Sequence, residues 1–142
     1  MILLGALLLV IGGVGMITEG VEMKRDYSVL LDTIARGESK GNYNAYFGNA
    51  NNTTIQFTKM KVGEVLAWQR DYVAKGSPSN AVGKYQIIQP TLEGLVRQLE
   101  IDHNQIFDEA LQDRMAVALL ERRGAEEFFD KEISREQFAH NL

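Results

Sequence analysis

The segment EALQDRMAVALLERR, residues 109–123, constrains the fold more than any other stretch. Leu111, Met115 and Leu119 recur at helical spacing, with Gln112, Asp113 and Arg114 between the first two and the charged Glu121, Arg122 and Arg123 closing the stretch. Such a helix is stable only where its apolar side is covered, and Gly124 stands where a helix of this kind closes. The chain has no cysteine, so there is no disulfide frame, no thiol nucleophile and no cysteine zinc site. At 142 residues and 45% apolar content it can bury one core and is too short for two ordinary domains.

Other segments share the helical period. Asp26 can cap a helix running to about Arg36, with Val29, Leu30, Ile34 and Ala35 on one face and Gly37 ending it. The stretch NYNAYFGNANNTTIQFTKM is rich in Asn and Gly and reads as a loop or short hairpin. Thr58 is placed to open a second helix in which Val62, Val65, Leu66 and Tyr72 or Val73 recur, and GSPSN breaks it. AVGKYQII reads as a short extended or turn segment, and Pro90 suits the first turn of a helix TLEGLVRQL. Ser134 and Gln137 form a capping box for a last segment.

The first residues differ in kind. MILLGALLLVIGGVGMI, residues 1–17, carries no charge, and four glycines weaken it as a helix. It sits at the short limit for a bilayer span and reads as a signal or membrane-anchor segment, without a clear basic n-region or cleavage site. A buried N-terminal helix is the alternative. The remainder, residues 19–142, then forms the working domain.

Composition narrows the partners. A net charge of −4 and a pI near 5.2, with Lys and Arg scattered, argue against nucleic-acid binding. The two histidines, His103 and His140, are too far apart for a spaced metal motif, so neither a metal nor another cofactor is expected. His103 reads as a solvated loop residue.

Glu38 raises the sharpest question. It lies four residues after Ile34 and seven after Leu31, so one further helical turn would continue the apolar stripe into a carboxylate. There, desolvation and the negative end of the helix dipole both raise its pKa. A carboxyl group of that kind holds a proton near neutral pH and can deliver it to a glycosidic oxygen. The competing reading is a surface glutamate at a frayed helix end, pairing with Arg36 or Lys40.

LLDTIARGES followed by GNYNAY, then AVGKYQIIQPTL, then FDEALQDRMAVALLERRG, in that order, resembles the phage endolysins and tail-associated lysozymes of the lambda type, within the lysozyme-like superfamily. The resemblance runs from about Leu30 to Leu142. It implies a mainly α (α+β lysozyme-like) fold, a helical domain with a small β-hairpin or loop subdomain beside a catalytic cleft. It implies that Glu38 is the catalytic acid and that Gly83-Lys84-Tyr85-Gln86 stands where the family has a Gly-Arg-Tyr-Gln turn lining the cleft. Lysine keeps the charge of arginine and loses its planar fork, so no bidentate role follows for Lys84. The 109–123 helix matches a core helix to which the family gives no chemistry. Two departures accompany the resemblance: the chain stops where family members continue, as a truncated chain would, and the family generally lacks an apolar N-terminal stretch.

The other candidates are weighed residue by residue. Tyr85 and Gln86 suit stacking on, and hydrogen bonding to, an N-acetyl sugar, against the alternative of a satisfied core pair. Tyr43, Asn44 and Tyr46 either line the cleft or shape the loop. Ser39 bonds the Glu38 carboxyl or caps the helix end, and Trp68 reads as core before sugar platform. Asp32, Glu64 and Glu93 are the available second carboxylates, and no neighbourhood marks any of them. A hydrolase needs two carboxyl groups flanking the bond. A lytic transglycosylase needs one, because the 6-hydroxyl of the muramoyl sugar attacks its own anomeric carbon. The expectation is therefore a monomeric enzyme, exported to the periplasm or wall or carried on a virion. It would cleave the MurNAc-GlcNAc β-1,4 bond of peptidoglycan glycan strands and contact the membrane through residues 1–17. The alternatives are a muramidase using Glu64 or Asp32, and a non-catalytic wall-binding virion domain.

Overall fold

A computed structural model describes residues 28–122. Among these residues four α-helices follow one another: α1 (Ser28–Glu38), α2 (Val62–Ala74), α3 (Gln89–Gln98) and α4 (Glu109–Arg122), with a 3₁₀ turn at Phe57–Lys59. Helix α1 packs on α4, and α2 on α3. The fold is mainly α. Among the described residues β structure is confined to isolated bridges, Tyr46 with Asn49 and with Val82, Val82 with Ile87, and Lys61 with Ile106.

The long loop after α1 forms no ladder because its asparagines take the backbone bonds a partner strand would have made. The Asn42 amide donates to the carbonyls of Ala50 and Asn52, and the buried Asn52 donates to those of Asn44 and Ile55. The Asn52 side-chain oxygen accepts from the amides of Thr54 and Ile55. A side-chain-tied loop therefore stands in the place where the hairpin or loop was expected.

Two helix boundaries differ from expectation. Helix α1 does not end at Gly37 but runs through it to Glu38. The reversal comes at Lys40 and Gly41, with φ of 57° and 81°, and the amides of Ser39 and Gly41 both close on the Ala35 carbonyl. Thr58 does not open α2. It lies in the 3₁₀ turn, and Met60 and Lys61 are extended before the helix begins at Val62. That extended pair holds the α3–α4 connection: the Phe107 amide donates to the Met60 carbonyl at 2.8 Å, and the Val62 amide to the Gln105 carbonyl at 2.8 Å.

Each helix buries most of the face its periodicity marks, except that Val29, expected on the face of α1, is exposed and Leu31 is buried instead. Leu30, Leu31, Ile34 and Ala35 come from α1, Val62, Val65 and Leu66 from α2, and Leu92, Leu95 and Val96 from α3 after Pro90 in its first turn. Helix α4 supplies Leu111, Met115, Ala116, Ala118, Leu119 and Leu120, and the loops add Phe57 and Phe107, both fully buried. Full burial of a Leu, Ile or Phe side chain contributes about 1.5–3 kcal/mol before entropy. Tyr72 continues the α2 face, packing against Trp68 and Tyr46, while Val73 is exposed. Residues 1–17, Asp26, Gly124, the Ser134–Gln137 pair and His140 lie outside the described residues. Among those described, no helix is long and apolar enough to cross a membrane.

Candidate active site

Glu38 is the last residue of α1, one turn beyond the buried Ile34 and two beyond the buried Leu31. The additional turn that carries the stripe into a carboxylate is present. The side chain is half-buried, and desolvation pushes its carboxyl above the usual range.

The next residue ties this helix end to a distant turn. Ser39 is buried, and its hydroxyl lies 2.5 Å from the Lys84 carbonyl and 3.3 Å from that of Ala35. Its single proton goes to the nearer Lys84 carbonyl, with Ala35 as a longer second acceptor, and this joins the end of α1 to residues 83–86. That turn is closed by a pair of bonds between Val82 and Ile87, each amide donating to the other's carbonyl. Gly83 holds a φ of +82°, where a β-carbon would strain the backbone and lie 2.4 Å from the Gln112 side-chain oxygen. Its amide donates to the Ala45 carbonyl at 2.8 Å, so the turn also leans on the loop after Glu38.

Helix α4 closes the arrangement. The buried Gln112 accepts the Lys84 amide at 2.9 Å and donates to the carbonyls of Tyr43 and Phe107. Asp113, one position on, receives the Tyr43 hydroxyl at 2.9 and 3.0 Å and the Tyr85 hydroxyl at 2.6 Å. Burial and the adjoining carboxylate push both phenols above their ordinary range. The Lys84 ammonium donates to Asp32 at 3.0 Å and to the Tyr43 oxygen at 3.5 Å, and lies 4.8 and 5.6 Å from the centres of the Tyr43 and Tyr85 rings. Burial alone would lower its pKa. Asp32 and Tyr43 outweigh that and raise it, which keeps the ammonium charged.

The expected site residues divide. Glu38, Ser39, Tyr43, Gly83 and Tyr85 belong to this one connected region. Tyr85 is only 5% exposed with its hydroxyl engaged, so the sugar-stacking surface expected of it is not open here. Gln86 is likewise buried and donates to the Gly83 carbonyl within its own turn. Asn44 shapes the loop, its side-chain oxygen accepting the Thr58 amide. Tyr46 packs edge-on against Phe57, Trp68 and Tyr72. Trp68 is part of that aromatic cluster, and His103 is exposed in a loop.

The second carboxylates are all engaged. Asp32 pairs with Lys84, Glu64 accepts the Lys61 amide at the start of α2, and Glu93 pairs with Arg70. Among the described residues no group of acidic or histidine side chains could hold a metal. Gln112 and Asp113 were not among the sequence candidates. The available signal was Gln112 itself, a polar residue between Leu111 and Met115 on the face that must be covered. Comparison with protein-family models, curated proteins and solved structures returns no match.

Proposed function

We propose that the chain is a peptidoglycan-cleaving enzyme acting on the MurNAc-GlcNAc β-1,4 bond, with Glu38 as its acid. The observation that carries this reading is the half-buried carboxyl at the end of the apolar face of α1, raised by desolvation and joined through Ser39 to the 83–86 turn. Its fold is of the lysozyme-like kind on this reading. The Glu38 carboxyl protonates the glycosidic oxygen as the bond to the anomeric carbon breaks. The resulting carboxylate then takes the proton from the muramoyl 6-hydroxyl as that oxygen closes on the same carbon, leaving an anhydro sugar.

The occupancy of the three candidate second carboxylates and of Asp113 favours this single-acid route over a hydrolase that would use one of them. Asp32, Glu64 and Glu93 each have a partner, and Asp113 is held by two phenols. Residues 1–17 serve delivery to the wall or membrane on the same reading.

Glu38→Gln keeps the shape and loses the proton. A general acid contributes about 10²–10⁴-fold, so wall lysis falls by at least that lower factor with the fold retained. Activity within about tenfold of the parent overturns the assignment. Mass spectrometry of digested wall separates the routes, since anhydro products are one water lighter than reducing sugars. A wall-binding domain without turnover would release neither and would bind equally with Gln at position 38.

A further inference from the structure

We propose that Asp113 is a positioning residue for the Glu38 reaction, a carboxylate that clamps the loop following Glu38 and the 83–86 turn to helix α4. The inference rests on the reading of Glu38 as the acid. Three segments far apart in sequence meet at this side chain. Tyr43 comes from the loop five residues after Glu38, Tyr85 from the turn whose Lys84 carbonyl Ser39 bonds, and Asp113 from the second turn of α4.

Gln112 grips the same two segments through their backbones, at the Tyr43 carbonyl and the Lys84 amide. Asp113 grips them through their side chains. A carboxylate suits this task because two hydroxyl donors converge on it, and an ionised carboxylate is acceptor-only, with about four lone-pair sites. An asparagine would offer one acceptor oxygen and turn its amino group toward one of the donors. Bonds to the ionised acceptor are also roughly twice as strong as neutral ones.

Two charged side chains flank the clamp, Lys84 and Asp32. Lys84 lies over both tyrosine rings and donates to the Tyr43 oxygen, and Asp32 holds the other side of that ammonium. The Tyr43 hydroxyl thus accepts from Lys84 and donates to Asp113, which fixes its direction. Ser39 passes the position of the turn to the end of α1, so a shift of the clamp moves the turn relative to Glu38. A displacement of 1 Å in such a site costs about 10²-fold in rate.

The test compares Asp113→Ala, Tyr43→Phe, Tyr85→Phe and the paired variants, assayed on solubilised glycan strands where thermal unfolding shows each to be folded. Clamping predicts that Asp113→Ala lowers kcat by about tenfold or more, with KM changed far less. It also predicts that Tyr43→Phe costs activity in the parent and little once Asp113 is Ala. Amide exchange at residues 83–86 should quicken in Asp113→Ala while that of α2 and α3 stays the same. The Tyr→Phe variants keep the ring volume, so they decide the matter if Asp113→Ala fails to fold.

An unchanged kcat per folded molecule, additive losses in the paired variants, or unaltered exchange at the turn overturns the clamp. A shift of the pH at which activity fails would make Asp113 an electrostatic partner of Glu38 and would also overturn it. A parent without wall-cleaving activity sinks the reading of Glu38 and is seen in the parent alone, whereas the exchange measurement judges the clamp regardless.

Discussion

Glu38 makes its effect on pH dependence calculable in sign. Burial raises its folded pKa, so the folded chain binds more protons than the unfolded chain between the ordinary carboxylate value and the raised one. Stability from this group is fully present below the unfolded value and is lost as pH rises through the folded one. Lysis should fall over the upper part of the same window, because the acid must carry its proton. In Glu38→Gln that loss of stability disappears. Thermal melts should therefore show the variant gaining on the parent from acidic to neutral pH; a constant difference across the range would mean that burial does not set this proton affinity. Its half-buried place at the end of the apolar stripe was legible because the Leu31–Ile34–Glu38 spacing depends only on helical period. Tyr85 was harder to read. A tyrosine suits a sugar platform and a buried hydrogen bond equally well, and Asp113, 28 positions away, decided between them.

The Lys61 amide donates to Glu64 at 2.8 Å, so this carboxylate satisfies an orphan donor at the start of α2. Glu64→Ala should cost about 0.5–2 kcal/mol, the range for lost caps, and leave wall lysis unaltered. Parallel melts and lysis assays check it, and a collapse of activity would restore Glu64 as the second carboxylate of a hydrolase. The helix faces were readable because burial follows period. The boundaries were not: Gly37 is accommodated inside α1, and the left-handed reversal falls at Lys40 and Gly41. Thr58 looked like a cap, but Met60 and Lys61 were drawn into extended pairing with residues 105–107, contacts no local pattern announces.

For the whole chain, the question is whether the apolar N-terminal stretch belongs to delivery. A chain beginning near Glu19 should be soluble, folded and lytic when added from outside, whereas the full chain should fractionate with membranes. Circular dichroism and turbidity loss of walls check the first, and sedimentation with vesicles the second. An unfolded shortened chain would place the stretch in the core. At this scale the mainly helical class was legible from the amphipathic segments alone. The pairing of α1 with α4 and of α2 with α3 was not, since apolar stripes do not name their partners. The central part of the candidate region likewise came from three separate segments, of which sequence reasoning marked two, α1 with its following loop and the 83–86 turn. It marked Asp32 only as a spare carboxylate, and α4 as plain core.

The order in which ribosomal synthesis supplies those segments has a consequence. The bonds that define the region span 45 positions from Ser39 to Lys84, 70 from Tyr43 to Asp113 and 69 from Tyr43 to Gln112. Contacts so distant along the chain form slowly and require closing long loops. A nascent chain that has not yet released α4 lacks both Gln112 and Asp113, leaving the tyrosines and the 83–86 turn without their anchor. On the proposed reading of Glu38, competence would arrive only with the last described helix. A wall-degrading chain built this way would stay silent through most of its own translation, and fragments ending before Glu109 should lose from near-ultraviolet circular dichroism the contribution of a fixed Tyr43 and Tyr85, the two tyrosines that Asp113 holds.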